Sequence, residues 1–168
     1  MAIPPPTPDA AQPPGFPQEW FASEETNPTD EIGLRFACTL CGNCCSGPAG
    51  YVIVSDDEAA SLAARLGIDV AQFISQYTHI SPEGRSLNEK TSPAGLDCVF
   101  LDRETIPGKA VCGVYEDRPI QCRTWPFWPS VVRSKTSWAA AKRTCPGIDK
   151  GPLHPVTQIR VQRDTFKI

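Results

Sequence analysis

The chain has 168 residues and a formal net charge of −3 at pH 7. Hydrophobic residues make up 40% of it and charged residues 21%, a globular profile that excludes a disordered or fibrous chain. No segment reaches the roughly 20 apolar residues of a membrane-spanning helix. No basic-then-apolar leader is evident either. These features predict a cytoplasmic protein without a membrane partner.

The charge is unevenly distributed. Acidic residues predominate in residues 1–102 and basic residues in residues 103–168, with no run of more than two Lys or Arg. We interpret this as complementarity within the fold. A mildly basic face for an anionic partner is the alternative, and no clear nucleic-acid partner is indicated.

Residues 1–31 are predicted to form a flexible tail. Seven prolines fall within residues 1–18. Such a segment favours polyproline II and cannot build a packed core. The tail is therefore a candidate docking segment for a protein partner.

A short predicted strand, Ile32–Ala37, leads into a dense group of cysteines. Cys38, Cys41, Cys44 and Cys45 read C-x-x-C-x-x-C-C. Gly42 lets the short loop turn around a metal. Without a leader, reduced thiols are expected, so a metal or cluster explains the cysteines better than disulfides. Since neighbouring side chains diverge, Cys44 or Cys45 is expected to serve a second site, bridge two metals or act in redox chemistry.

The next predicted elements are a strand, two helices and a stretch of turns: Tyr51–Val54, Asp56–Leu66, Val70–Tyr77 and residues 80–95. The first helix begins with a capping box, Ser55 and Glu58, and ends before Gly67. Asp69 is the expected N-cap of the second helix.

A β-hairpin is predicted beyond these turns. Its strands, Asp97–Leu101 and Ala110–Val114, flank a segment that contains Pro107 and Gly108. The hairpin carries Cys98 on one strand and Cys112 on the other, so the two thiols can lie near each other.

The remaining predicted elements are a short helix opened by Pro119 and ended by Pro126 and Pro129, a strand over Val131–Ser137, a turn at Cys145–Gly147, and a possible edge strand over Val156–Phe166. We divide the chain into the tail (1–31), a metal-binding domain (32–150) and a C-terminal extension (151–168). The fold class is α+β, a small cysteine-rich domain organised by metal, with short helices and a hairpin.

The other four cysteines, Cys98, Cys112, Cys122 and Cys145, are dispersed. Two sites of four sulfurs each are arithmetically possible. Alternatively, some of the four are ordinary buried thiols, or the eight form a disulfide framework.

The cysteines and the residues around them resemble a known family. The segments are C-x-x-C-x-x-C-C at 38–45, Cys98-Val-Phe-Leu, Cys112-x-x-Tyr115-x-x-Arg118-Pro119-x-x-Cys122-Arg123-x-x-Pro126 and Cys145-Pro-Gly. Together they resemble the CxxCxxCC cysteine-cluster family of zinc- or iron-chelating domains over roughly residues 32–150. This resemblance implies metal binding and no settled activity.

A similar cysteine pattern occurs in flagellin lysine methylases, where it is associated with an iron–sulfur cluster. That similarity favours iron–sulfur over zinc. It does not transfer methylation, because no glycine-rich nucleotide fingerprint follows a strand in this chain.

The spacing also favours an iron–sulfur cluster. Such clusters take C-x-x-C-x-x-C with a distal fourth cysteine that is often followed by proline. Cys38, Cys41 and Cys44 match the first part, and Cys145-Pro146 resembles the second. Any of the other dispersed cysteines can fill the distal role. Zinc, which takes four N or S ligands without redox chemistry, is the alternative.

Three further residues are candidates to support the metal from outside its ligand shell. Arg118 and Arg123 flank Cys122, where guanidinium groups would offset thiolate charge. Alternatively, Arg118 pairs with Glu116 or Asp117. Tyr115, with Trp125, Phe127 and Trp128, forms either a dry wall beside the site or ordinary core packing. His79 and His154 do not lie at ligand spacings and are expected in loops.

The predicted function is metal binding for chelation, electron transfer or metal handling. One alternative is an enzyme, or an enzyme subunit, whose cluster serves redox or group-transfer chemistry. Another is a structural zinc module that presents the tail to a protein partner. No catalytic residue is identified.

Overall fold

The computed structural model describes residues 19–23, 32–93 and 95–166, and it confirms an α+β fold. The helices are α1 Asp56–Leu66, α2 Val70–Tyr77, α3 Ile120–Thr124, α4 Pro129–Val132, α5 Lys135–Lys142 and α6 Val156–Thr165. The strands are β1 Gly33–Phe36, β2 Ser46–Gly47, β3 Thr78–Ser81, β4 Gly84–Leu87, β5 Glu89–Ser92, β6 Gly95–Cys98, β7 Leu101–Asp102, β8 Val111–Cys112 and β9 Ile148–Pro155. All strand pairs are antiparallel.

The two predicted helices α1 and α2 are confirmed, with their caps. The Ser55 side chain accepts from the Glu58 N–H, and the Glu58 carboxylate accepts from the Ser55 N–H at 2.9 Å. Gly67 ends α1 in the left-handed region at φ 69°. Asp69 caps α2 by accepting from the Gln72 N–H at 2.8 Å.

Helices α1 and α2 help to build the first of two hydrophobic cores. We call it the middle core, because its buried residues all come from the middle of the chain. They are Val54, Ala59, Leu62, Ala63, Phe73, Leu87, Phe100 and Val114. Phe73, Tyr77 and Phe100 stack with centroid distances of 5.3–6.4 Å, which adds directional packing to the burial.

The second core, the terminal core, combines residues from both ends of the described chain. Its buried members are Phe21, Leu34, Phe127, Val131, Val132, Trp138, Cys145, Ile148 and Ile159. β1 pairs with β9, in register from Gly33↔Pro155 to Arg35↔Leu153, with an irregularity before Phe36. This pairing joins the predicted lead-in strand to the chain beyond residue 145.

The predictions for the two chain ends are partly wrong. Residues 19–23, assigned to the flexible tail, pack against the terminal core, with Phe21 fully buried. Residues 1–18 and 24–31 lie outside the described residues. The segment Val156–Phe166 is the helix α6 and no edge strand, because its one buried residue, Ile159, faces the core while Val161 is exposed.

Three internal predictions are also wrong. Residues 80–95 contain strands as well as turns, since β3 and β4 form a hairpin around Pro82–Glu83 and β5 pairs with β6. Tyr51–Val54 forms only a single bridge, Ile53↔Ser86. Residues 131–137 fall in the helices α4 and α5 and the two-residue break between them, because Pro129 begins α4 and the Ser134 side chain caps α5.

The predicted hairpin is confirmed in a shorter form. It pairs Leu101 with Cys112 and Asp102 with Val111. Cys98 is not part of it, because this residue ends β6 and pairs with Glu89 of β5. Cys98 and Cys112 therefore belong to different sheets.

No helix among the described residues has both the length and the apolar character required to cross a bilayer.

Candidate metal centre

All eight cysteines line one cavity of about 130 Å³. Its walls come from both cores. Phe36, Trp125, Trp128 and Cys145 belong to or pack on the terminal core, whereas Val52, Leu87, Cys98, Phe100, Cys112 and Val114 belong to or pack on the middle core. The fold thus brings the clustered and the dispersed cysteines together at one cavity.

The cysteine loop, residues 38–45, is held in shape by its own backbone. Gly42 has a φ of 77°, and its carbonyl accepts from the Cys45 N–H at 2.9 Å. A Cβ at this position would lie 2.5 Å from the Ala110 Cβ. Only glycine satisfies both the left-handed φ and this close approach.

An ion pair between the buried Asp97 and the exposed Arg103 holds the end of this loop. Arg103 donates two hydrogen bonds to Asp97, from Nε to Oδ2 at 2.8 Å and from Nη2 to Oδ1 at 3.1 Å. Nη2 also donates to Ser46 Oγ at 2.6 Å, and Ser46 Oγ donates to the Gly42 carbonyl at 2.9 Å. Hydrogen bonding from Arg103 holds the pKa of the buried Asp97 carboxyl well below its usual range. Asp97 and Arg103 therefore fix the cysteine loop to β6.

The loop is tied to other segments as well. The Ala110 N–H donates to the Leu40 carbonyl at 2.8 Å, which joins it to the hairpin. Asn43 Nδ2 donates to the Thr144 carbonyl at 2.7 Å, and the Ala37 N–H to the Gly147 carbonyl at 3.1 Å. These last two bonds bring the segment that carries Cys145 up to the cavity.

The adjacent thiols of Cys44 and Cys45 interact directly. Their Sγ atoms lie 3.6 Å apart. The hydrogen bond from Cys45 lowers the pKa of Cys44 to about 7, while the same contact, with burial, raises the pKa of Cys45. The pair thus favours a thiolate on Cys44 and a proton on Cys45.

Three of the dispersed cysteines, Cys98, Cys112 and Cys122, are harder to ionise than a free thiol. Burial raises the pKa of Cys98 to about 11 and also raises the pKa values of Cys112 and Cys122. Repulsion from Cys98, Cys44 and Cys112 adds to the effect at Cys122. A cation bound among these thiols would reverse that repulsion, and its binding would release protons.

Of the three residues predicted to support the metal, two line the cavity and one does not. Arg118 and Tyr115 line the cavity. Arg118 Nε donates to the Tyr115 carbonyl at 2.7 Å, and its guanidinium lies 3.5 Å from the centre of the Tyr115 ring. Asp117 pairs with Arg65, not with Arg118. Arg123 is exposed and does not line the cavity.

Two of the aromatic residues predicted near the site line the cavity, and the two histidines do not. Trp125 and Trp128 line the cavity and meet edge to face at 4.8 Å, whereas Phe127 is buried in the terminal core. His79 and His154 lie on strands β3 and β9, not in loops, and neither lines the cavity.

Comparison with known proteins agrees with this geometry. A family model described as "Putative zinc- or iron-chelating domain" matches residues 37–146. The chain belongs to the CxxCxxCC family. Its membership supports the predicted cofactor, zinc or an iron–sulfur cluster. All eight cysteines fall within the matched residues.

One relative of this CxxCxxCC protein is an uncharacterized protein of Methanocaldococcus jannaschii. The two are 27% identical over 103 residues, which is 61% of this chain and 50% of the relative. The chain thus spans about half the length of the curated relative that it matches. No solved structure matches the chain.

The donor set of the CxxCxxCC cavity, eight thiols, is one that zinc or an iron–sulfur cluster can use. In the parts of the chain that the structure describes, no three His, Cys, Asp or Glu side chains lie as the ligands of one metal ion must. Tetrahedral zinc with Zn–S bonds of about 2.3 Å would need sulfurs roughly 3.8 Å apart. The Sγ atoms of Cys44 and Cys45 lie within that distance, at 3.6 Å.

Two buried polar atoms beside the cavity have no hydrogen-bond partner, Thr39 Oγ1 and Trp125 Nε1. Both residues line the cavity. Each unsatisfied group costs about 1–3 kcal/mol. Thiolate and sulfide sulfurs accept hydrogen bonds, so a bound metal–sulfur group would satisfy both.

Sequence reasoning missed four contributors to this site. They are Thr39, Ser46, Asp97 and Arg103. Thr39 lies inside the cysteine motif, which was a usable signal. Asp97 and Arg103 are surface residue types, and nothing in a single sequence indicates that they pair beneath the cysteine loop.

Proposed function

We propose that the cavity holds an iron–sulfur cluster and that the protein acts in chelation, electron transfer or metal handling. The observation that carries this proposal is that all eight thiols line one cavity, which is more sulfur donors than a single zinc ion takes. An iron–sulfur cluster places its thiolate ligands farther apart than one zinc ion does, since inorganic sulfide and several irons lie between them.

The walls of the cavity support a redox centre. Leu87, Phe100 and Trp128 contribute apolar surface. Solvent exclusion and local charge are the terms by which a protein sets a cluster potential. Arg118 supplies a positive charge on the same wall. When bound, the cluster would supply one-electron chemistry, and the protein would hold it, shield it from water and offset its negative charge.

Anaerobic purification with elemental analysis and a visible absorption spectrum tests this proposal. We expect brown protein with iron and sulfide in equal amounts, about four of each for a cubane cluster. Colourless protein that contains one or two zinc ions and no sulfide would overturn it.

Eight single Cys→Ser variants would then assign the ligands and serve as controls for one another. We propose that Cys38, Cys41 and Cys44 are ligands, with Cys145 or one of Cys98, Cys112 and Cys122 as the distal one. A variant at a ligand is expected to lose visible absorption, and a variant elsewhere to retain it.

One observation favours a second candidate, an enzyme or enzyme subunit. A pocket of about 120 Å³ adjoins the cavity and shares Cys44, Cys45 and Cys98 with it. Ser46, Asn88 and Glu89 give this pocket polar walls. A small polar substrate bound there would lie next to the metal. Turnover with an added electron or methyl donor would support this candidate, and reversible redox cycling without turnover would favour the first.

A further inference from the structure

The four tryptophans differ in how their indole N–H groups are used. Trp20 Nε1 donates to the Val132 carbonyl at 2.7 Å, and Trp138 Nε1 to Asp149 Oδ1 at 2.7 Å. Trp128 Nε1 donates to the Gln121 carbonyl at 2.9 Å. Trp125 Nε1 is buried and has no partner.

The Trp125 side chain lies in the wall of the cysteine cavity. Trp125 lines the cysteine cavity, as does Thr39, the second residue whose buried polar atom lacks a partner. An indole N–H can only donate, so the absent partner must be an acceptor. Gln121, another polar residue of the cavity lining, already has partners, because its side chain accepts from the Ile53 N–H and donates to the Tyr51 carbonyl.

We infer that Trp125 Nε1 and Thr39 Oγ1 donate hydrogen bonds to sulfur atoms of the group bound in the cavity. This inference rests on the proposed function for the kind of sulfur involved, which is cluster sulfide or a cysteine thiolate. Both donors are positioning residues. They orient the bound group and stabilise its negative charge, which increases when a cluster takes up an electron.

The consequence for a cluster is a higher reduction potential. A donor to sulfur stabilises the reduced, more negative state more than the oxidised state. Removing the donor should therefore lower the potential without removing a ligand. A purely structural role in packing predicts no such change.

The test compares Trp125→Phe and Thr39→Val with Trp20→Phe in the full chain, reconstituted anaerobically with ferrous iron and sulfide. Trp20→Phe is the matched control, because it makes the same change of ring and removes an indole bond to the Val132 carbonyl, but Trp20 does not line the cavity. We expect unchanged iron and sulfide contents, a lower midpoint potential for Trp125→Phe and Thr39→Val, and the wild-type potential for Trp20→Phe. Equal potentials for all four proteins at full cluster content would overturn the inference.

Failure of the proposed function would be recognised separately. If the wild-type protein holds zinc and no sulfide, the same variants are compared by the rate at which a chelator removes zinc. Loss of one hydrogen bond of ordinary strength to a thiolate predicts about fivefold faster release. The inference then stands if Trp125→Phe and Thr39→Val release zinc faster than Trp20→Phe, and it fails if the rates agree.

Discussion

The middle core and the terminal core differ in the parts of the chain from which they are built. The middle core is drawn from one continuous stretch of chain and packs α1, α2 and stacked aromatic rings. The terminal core joins residues from both sides of the sequence through the β1–β9 pair. The cysteine cavity lies where the two meet. This comparison indicates that each core is closed by hydrophobic packing, and we expect a metal bound by the cysteines to strengthen the contact between them.

Metal removal is the change with the largest expected effect on this comparison. We expect the metal-free chain to keep both cores but to lose the bonds between the metal and the cysteines. Its melting temperature should therefore fall by about 10 °C or more. Thermal melting after chelation under reducing conditions, with the metal content verified, measures this effect. Unchanged melting would show that the two cores hold together without metal.

Gly42→Ala should have the next largest effect. The substitution combines a left-handed φ with a Cβ contact of 2.5 Å to Ala110, at an expected cost of about 3 kcal/mol. Gly67→Ala is the matched control, because its φ is 69° but its Cβ would meet nothing within 4 Å. That variant should lose only about 1 kcal/mol and keep its metal. Urea unfolding and metal analysis of both variants test this, and equal losses would contradict it.

Asp97→Asn should have a smaller effect, which is confined to the attachment of the cysteine loop to β6. It removes a charge-assisted pair whose carboxylate side chain is 2% exposed, at an expected cost of about 2 kcal/mol, and it should speed metal release. Asp56→Asn is the control, since this side chain is 91% exposed in its pair with Arg85. We expect less than about 1 kcal/mol there and no change in metal release. If both variants released metal at the same rate, the Asp97–Arg103 pair would have no role in holding the cysteine loop.

Elements coded by local chemistry were predictable from the sequence. Helix α1 could be predicted from Ser55, Glu58 and Gly67, which all lie at the ends of the helix itself. The strands β3 and β4 could not be predicted from such local signals, because they form by pairing with each other around a short turn. The β-branched Val131 and Val132 suggested a strand, but burial in the terminal core suits a helix equally well.

The site shows the same division. The sequence supplied the eight cysteines, and the fold brings all of them to one cavity. Arg118 and Tyr115, predicted to support a metal, line the same cavity, and their supporting role stays a prediction. The sequence could not separate Arg123 from Cys122, although one residue of helix α3 is enough to turn the arginine away into solvent. The ligand roles of the individual cysteines stay predictions.

The distance along the chain between Cys38 and Cys145 has a consequence for biogenesis. The two residues are about a hundred positions apart in the sequence and yet line the same cavity. Bringing them together closes a long loop, whose entropic cost must be met before the contacts on its two sides form. During synthesis the cysteine loop leaves the ribosome well before Cys145 exists. We therefore expect the cavity to be completed late, with metal delivery following translation of the terminal core.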